Sequence, residues 1–191
     1  MASLTVNKLQ PQSGTAISFP NRLLQSGRVA QTIYVRTDTR PTYTAQPSGN
    51  GTEITQLRAT IVPTSSDSWI WIRYTIHYEM HHDCGFGIME NSNLIGYNTY
   101  RGNVRWSNIL TPLYDNDYGS TPQNSTINWF VKANSTASRY YSPCVRSSSG
   151  GTYTFAMNRP VGSAGQDDHE NGVSFGWVRE IYANFDIAPS P

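Results

Sequence analysis

The chain has 191 residues, which suggests one domain with an appendage. Charged residues make up only 14% of it, against about 25% in an average globular chain, and uncharged polar residues take their place. The formal net charge is +1, so there is no electrostatic case for binding nucleic acid or an anionic membrane.

The opening decapeptide, MASLTVNKLQ, lacks the apolar core of a secretion signal. No window approaches the roughly 18 consecutive apolar residues that a membrane-spanning helix needs. We therefore expect neither a signal peptide nor insertion into a membrane.

Residues 1–28 stand apart as an N-terminal arm and linker. Two short extended runs flank a Pro-Gln-Ser-Gly turn, and two short strands cannot bury enough surface to be stable alone. The arm therefore needs a host, either the rest of the chain or another subunit. Its docking side chains would be the apolar ones, Leu4, Val6, Leu9, Ile17 and Phe19.

Residues 29–191 read as one all-β head domain, because no helical window competes with the predicted strands. These strands span residues 29–36, 55–62, 67–80, 85–89, 94–97, 126–133, 140–145, 152–157 and 173–187. Residues 37–51 read as a surface loop, and residues 98–125 are ambiguous. Strands at near-regular spacing, joined by loops of unequal length, predict an antiparallel, jelly-roll-like sandwich.

The stretch 67–80, DSWIWIRYTIHYEM, is the predicted central strand. Its even positions are apolar or amphipathic, which predicts one face in the core: Ile70, Ile72, Tyr74, Ile76, Tyr78 and Met80. Its odd positions are wettable but strongly aromatic, and include Trp69, Trp71, Arg73 and His77. The two tryptophans either belong to a binding surface or fill a second, thinner core. In the last predicted strand, Arg179 interrupts an otherwise apolar face, which indicates a bend or an interface there.

One cluster contains the residue types that bind metals: His77, His81, His82, Asp83 and Cys84. Only His77 and His81 share a face of the predicted strand, and no second ligand pair has suitable spacing. Polar residues at a strand end and turn are the favoured interpretation, so we predict no metal site and no cofactor. Cys84 and Cys144 alone cannot establish a disulfide, and free thiols are favoured.

The sequence gives little support for catalysis. It has no phosphate-binding glycine loop and no His-Glu-x-x-His, and its few acidic residues lie mostly in turns. We therefore predict that the protein is not an enzyme. Six loop tyrosines are candidates for binding a receptor or glycan, or for packing between subunits: Tyr97, Tyr100, Tyr114, Tyr118, Tyr140 and Tyr141.

Three stretches resemble small fibre-like virion structural proteins of tailed phages, particularly marine and cyanobacterial ones. Residues 4–17, LTVNKLQPQSGTAI, resemble their opening; residues 61–72, IVPTSSDSWIWI, resemble their central strand, turn and strand; and residues 177–181, WVREI, resemble their last strand. This chain departs from the pattern in its Trp-rich strand and in residues 182–191.

The resemblance implies a virion location, a jelly-roll-like head and a homotrimer with the arm docked on other virion proteins. The implied role is a tail-fibre or receptor-binding tip that attaches the particle to its host. The alternatives are a capsid fibre or decoration protein, and a carbohydrate-binding module. In such a trimer the aromatic and polar mixture of Trp69, Trp71, Arg73, His77 and Arg179 is expected at or near the subunit interface.

Overall fold

A computed structural model describes residues 27–97, 108–111, 121–162 and 170–182. Nearly all regular structure in these ranges is β, which confirms the predicted all-β antiparallel sandwich. In chain order the strands are β1 (Arg28–Thr37), β2 (Thr42–Ala45), β3 (Thr52–Glu53), β4 (Ala59–Ile61), β5 (Trp69–Glu79), β6 (Cys84–Glu90), β7 (Asn93–Gly96), β8 (Ile109–Thr111), β9 (Gln123–Lys132), β10 (Arg139–Ser147), β11 (Tyr153–Met157) and β12 (Ser174–Tyr182). A single 3-10 turn covers Thr55–Leu57.

Strand β5 is the centre of the larger layer, the front sheet. It pairs with β12 along one edge and with β9 along the other, and β1 pairs with the far edge of β12. At the end of β5, β11 replaces β12 as its neighbour and carries β2. The back sheet is built on β10 and β6, with β3 and β4 beside β10 and β7 and β8 beside β6. No helix among the described residues has the length and apolar character needed to cross a membrane.

The core lies between the two sheets, where the predicted even face of β5 is fully buried. Tyr78 stacks on Phe155 with ring centroids 5.0 Å apart and meets the edge of Phe86 at the same distance. The Tyr74 hydroxyl donates a 2.8 Å hydrogen bond to the carbonyl of Tyr141 and so joins the two sheets. These contacts between buried side chains of the two sheets hold the core together without a disulfide.

Two segments differ from the sequence-based prediction. β2 lies inside residues 37–51, which read as loop, because its four residues are too few to show a periodic pattern. Residues 55–57 form a 3-10 turn rather than strand, although Leu57 is buried as predicted. The last strand is described as far as Tyr182, and its predicted continuation to residue 187 lies outside the described ranges. Residues 1–26, with the arm residues Leu4, Val6, Leu9, Ile17 and Phe19, lie outside the described ranges.

The buried carboxylate of Glu180 connects β12 to the turn that precedes β5. Its Oε1 accepts hydrogen bonds from the Ser68 hydroxyl at 2.5 Å, the Thr64 amide at 2.8 Å and the Ser65 amide at 3.2 Å. Its Oε2 accepts from Gln31 Nε2 at 2.7 Å. Burial by itself raises the pKa of Glu180, but the hydrogen bonds from Ser68, Gln31 and Thr64 outweigh it and the pKa is lowered. Glu180 therefore holds this turn as a carboxylate.

Gly176 allows the Tyr74 ring to lie across β12. A Cβ atom at position 176 would lie 2.1 Å from Tyr74 Cδ1 and 2.6 Å from the carbonyl oxygen of Arg73. We expect Gly176→Ala to lower the free energy of unfolding by about 3 kcal/mol, because both the ring and a backbone atom must move. Urea denaturation would measure the change. Gly150→Ala is the matched control, since a Cβ there meets nothing within 4 Å; equal stabilities of the two variants would contradict this account.

Candidate functional site

The outer surface of the front sheet carries a cluster of aromatic and arginine side chains. Trp177 is opposite Tyr34 on one side and Arg73 on the other, while Trp71 is opposite Arg179 and Phe130. Directly opposed residues point to the same side of a sheet, so these side chains share the surface that faces away from the core. We call this surface the aromatic face: Tyr34, Trp69, Trp71, Arg73, Phe130, Phe175, Trp177 and Arg179.

Trp71 is at the middle of the aromatic face and orders its neighbours. Its ring stacks on Phe130 with centroids 5.2 Å apart and planes 13° apart, and meets Trp177 edge-on at 4.5 Å. The Arg179 guanidinium lies 4.1 Å from the centroid of the Trp177 ring and 5.9 Å from that of Trp71. These contacts are of the aromatic and cation–π types, so the cluster is already ordered in the single chain.

Much of this cluster remains open to solvent. Tyr34 is 60% exposed, Phe175 38% and Phe130 36%, so all three count among the exposed large apolar side chains of the described residues. The Nε1 atom of Trp71 and the Nε atom of Arg179 are both shielded from solvent, and neither has a hydrogen-bond partner within the described ranges. The face therefore combines exposed apolar area with polar donors that no described residue satisfies.

The charge on this side of the sheet is uneven. Arg36, Arg73 and Lys132 are exposed on it, and Arg179 is half-buried. The carboxylates of its four long strands are Glu79 and Glu180, and both are fully buried. Lys132 pairs with the exposed Asp67 at 3.9 Å, so Arg36, Arg73 and Arg179 are the main cations that the described part of this side presents. These cations favour partner surfaces that supply carboxylates.

All five residues predicted at an interface lie on this side of the front sheet: Trp69, Trp71, Arg73, His77 and Arg179. His77 has a further structural role. Its Nε2 is 3.1 Å from the carbonyl oxygen of Glu170, its Nδ1 is 3.1 Å from Asn124 Oδ1, and Gly172 packs directly against its ring. The contribution of these five residues to an interface stays a prediction.

The loop tyrosines do not form one site. Tyr141 is fully buried, so its selection as a glycan-binding candidate is wrong. It follows Tyr140 in β10, and successive residues of a strand point to opposite faces, so the two cannot share a surface. Tyr140 lies on the outer side, where its hydroxyl is 2.7 Å from Ser92 Oγ and Arg58 covers its ring at 4.6 Å. Tyr97 is half-buried after β7. Tyr100, Tyr114 and Tyr118 lie outside the described residues.

The predicted cluster of metal-binding residue types is spread over different surfaces. His77 is on the front sheet, His81, His82 and Asp83 form the turn after β5, and Cys84 opens β6. Within the described part of the chain, no group of three or more His, Cys, Asp or Glu side chains is placed to hold a metal ion. Burial raises the pKa of Cys84 to about 12, which keeps its thiol protonated.

Cys84 and Cys144 are free thiols in the structure, and both are buried. Cys84 is opposite Ser147 and Cys144 is opposite Gly87, so the two side chains occupy different positions along the β6–β10 pair. Burial raises the pKa of Cys144 to about 12 as well. Neither thiol has the lowered pKa of a reactive cysteine.

Sequence reasoning missed Tyr34 and Phe130 as members of the aromatic face. Each lies in a predicted strand, but only the register with β12 and β5 shows that their side chains join Trp177 and Trp71. The sequence does contain a signal for Phe130: in the predicted strand 126–133, Ile127, Trp129 and Val131 form an alternating apolar set that predicts an inward face, which leaves position 130 facing outward.

No protein-family model matches the chain, and no curated protein matches it. Solved structures that align with most of it at low identity include three viral particles. The structure of T=1 particles derived from infectious bursal virus gives a TM-score of 0.34 at 12% identity over 88% of this chain and 41% of that chain. Infectious bursal disease virus strain Gx gives 0.35 at 14% identity over 91% and 49%, and the VP2 subviral particle of that virus gives 0.33 at 12% over 88% and 42%. The chain therefore spans less than half the length of each of these chains.

Proposed function

We propose that this protein is a virion structural protein that assembles into a homotrimer through its aromatic face and acts as a tail-fibre or receptor-binding tip. The observation that carries the proposal is the exposed, pre-ordered cluster around Trp71 on the front sheet. The attachment role rests on the resemblance of residues 4–17, 61–72 and 177–181 to small fibre-like phage proteins.

The composition of the aromatic face is that of an interface centre. Trp, Tyr, Phe and Arg are enriched at such centres, while Glu, Asp and Lys are depleted. Contiguous apolar surface of this kind is uncommon on soluble monomers. Because Trp71, Trp177 and Arg179 already contact one another in the single chain, little side-chain freedom remains to be lost on association.

The charge distribution favours a rotational assembly over a two-fold dimer built on this face. A two-fold contact would place the side of the sheet that carries Arg36, Arg73 and Arg179 against the same cationic side of the other copy. In a ring, the face of each copy meets a different surface of the next copy, and that surface can supply carboxylates. Three copies are the number that the phage-protein resemblance implies.

Two of the stretches that carry the resemblance meet in the fold. Glu180, from the closing stretch WVREI, accepts hydrogen bonds from Thr64 and Ser65, in the turn of the central stretch IVPTSSDSWIWI. The two stretches are distant in sequence but form one structural unit at the start of β5.

The oligomeric state tests the proposal directly. We expect light scattering coupled to size exclusion to give three times the chain mass of 21.3 kDa for the full chain. Tyr34→Lys should lower that mass, because it adds a cation to the aromatic face at a side chain that is 60% exposed. Leu110→Lys is the matched control, since Leu110 is 49% exposed but lies on β8 of the back sheet.

Two results would contradict the proposed trimer. One is a wild-type monomer at concentrations where the chain is folded, and the other is an equal loss of mass in both lysine variants. The attachment role is tested separately by electron microscopy of phage particles labelled with an antibody to this chain. Label at tail tips supports a fibre or receptor-binding tip, whereas label over the head supports a capsid fibre or decoration protein instead.

A further inference from the structure

The chain contains two Asn-Gly pairs, and both lie in described loops. Asn50-Gly51 ends the loop between β2 and β3, and Asn171-Gly172 comes shortly before β12. Both asparagines are exposed. Because glycine has no Cβ atom, its backbone nitrogen can approach the side-chain amide carbon of the preceding asparagine, which is the first step of spontaneous deamidation. Sequence and exposure favour the two sites equally, so only the surroundings of each glycine amide distinguish them.

The Asn50-Gly51 pair lies in an open turn. No described residue is hydrogen-bonded to the Asn50 side chain or to the Gly51 amide. The glycines on either side of Asn50, Gly49 and Gly51, have φ angles of 72° and 80°, in the left-handed region that glycine adopts without steric cost. The Gly51 nitrogen can therefore turn towards the Asn50 side chain without losing a contact to a described residue.

Both ends of this loop are held by hydrogen bonds. Before the turn, the Gln46 carbonyl accepts the Ser147 amide of β10 at 3.0 Å. After it, the Thr52 hydroxyl donates to the Thr44 carbonyl at 2.5 Å, and Thr52 is opposite Val145 in the back sheet. A change of conformation at Asn50 therefore leaves β2 and β3 paired, so the reaction can proceed in the folded protein.

The Asn171-Gly172 pair is fixed although Asn171 is exposed. The Gly172 amide donates to the Asn158 carbonyl at 3.1 Å. Asn158 is fully buried, and its Nδ2 donates to the Thr37 carbonyl at 3.0 Å. On the other side, a Cβ atom at position 172 would lie 2.2 Å from Cγ of His77, so the ring packs directly on the glycine. The Gly172 nitrogen can reach the Asn171 side chain only after this segment opens locally.

We propose that Asn50 is a site of spontaneous deamidation in the folded protein, and that the contacts of Gly172 protect Asn171 from the same reaction. The Gly51 amide loses its proton to a base in solvent, and its nitrogen forms a bond to Cγ of Asn50. The bond from Cγ to Nδ2 breaks, and that nitrogen takes a proton from solvent and leaves as ammonia. Water then opens the succinimide ring at either carbonyl group, which gives aspartate or isoaspartate. The reaction consumes one water and involves no oxidant or reductant.

Incubation of the full-length protein at mildly alkaline pH tests the assignment. The tryptic peptides 37–58 and 147–179 contain one Asn-Gly pair each, so mass spectrometry follows the two sites separately. We expect Asn50 to deamidate at least about tenfold faster than Asn171, because only Asn171 must wait for a local opening. The product adds one negative charge to a formal net charge of +1, so isoelectric focusing should show a new acidic band. Asn50→Gln should remove that band, because a longer side chain closes the ring less readily.

Unfolding in guanidinium chloride is the matched control, since it frees both glycine amides in the same chain. We expect the rate at Asn171 to rise until the two sites react at similar rates. Equal rates in the folded protein, or no reaction at either site, would refute the proposal. A difference between the sites that persists unchanged in denaturant would also refute it, because the sequence and not the fold would then be the cause. The inference does not depend on the trimer: selective reaction of Asn50 in a monomer would support it while contradicting the proposed assembly.

Discussion

Trp71→Ala is expected to dissociate the assembly into monomers at micromolar concentrations. Trp71 supports the aromatic face through its stack on Phe130 and its edge contact with Trp177. Its removal therefore also leaves the side chains of Phe130 and Trp177 without the contact that orders them. Truncating a central aromatic residue of an interface commonly costs about 2–4 kcal/mol, which is roughly 30-fold to 1000-fold in a dissociation constant. Sedimentation velocity across a concentration series would measure the shift.

Trp71→Phe is the matched variant, because it keeps a ring against Phe130 while removing the indole nitrogen. We expect it to remain assembled with a smaller loss of affinity. Trp69→Ala, nearer the end of the sheet, should have an intermediate effect. A Trp71→Ala protein that is folded and assembles as the wild type does would exclude this face as the subunit interface.

Glu180→Ala should cause the largest loss of stability among the variants discussed. The substitution removes the acceptor for the Ser68 hydroxyl, the Thr64 and Ser65 amides and Gln31 Nε2. Each buried donor left without an acceptor costs about 1–3 kcal/mol. Water can replace the carboxylate for some of these donors, so we expect the free energy of unfolding to fall by about 3 kcal/mol or more. Asp67→Ala in the same turn is the control, since the Asp67 side chain is 90% exposed and its ion pair with Lys132 spans 3.9 Å. It should change the stability by less than about 0.5 kcal/mol.

The pH dependence of unfolding distinguishes the charge of Glu180 from its packing. The pKa of this carboxyl is lower in the folded chain than in the unfolded one, so its stabilising effect is complete above the unfolded-state pKa of about 4.3 and is lost as the pH falls through the folded value. Glu180→Gln keeps one acceptor oxygen but binds no proton. The stability of this variant should therefore fall less steeply with acid than that of the wild type. The stability of Glu180→Gln should still fall somewhat with acid because of Glu53. Hydrogen bonds from Arg58, Ser142 and Ser92 lower the pKa of Glu53 against the opposing effect of burial. Identical acid profiles for the wild type and Glu180→Gln would contradict this role of the carboxylate.

The central strand was predictable because its alternation extends over more than ten residues. Ile70, Ile72, Tyr74 and Ile76 are all buried, and Trp69, Trp71 and Arg73 are on the other side. The last strand shows the limit of that method. Its large apolar side chains, Phe175 and Trp177, point outward, while Ser174, Gly176, Val178 and Glu180 face inward. Periodicity shows that two faces differ, but only the neighbouring strands decide which of them is covered.

The positions of Gly176 and Glu180 explain this reversal in physical terms. The space beside Gly176 is taken by the Tyr74 ring of the adjacent strand, and Glu180 is buried because the turn at residues 64–68 supplies hydrogen-bond donors. Both partners are more than 100 residues away in sequence, so no local pattern shows them.

The pairing of β1 with β12 has a consequence for how the protein is made. β1 begins at Arg28 and has β12, which ends at Tyr182, as its neighbour in the front sheet. During synthesis β1 therefore lacks its described partner until β12 has left the ribosome, and β5 likewise awaits β9 and β12. Sheets closed by such distant pairings fold slowly, in milliseconds to seconds for small domains. Until then the strands that form the aromatic face are unpaired and open to aggregation, so we expect soluble yield to depend on temperature and on chaperones more strongly than native stability does.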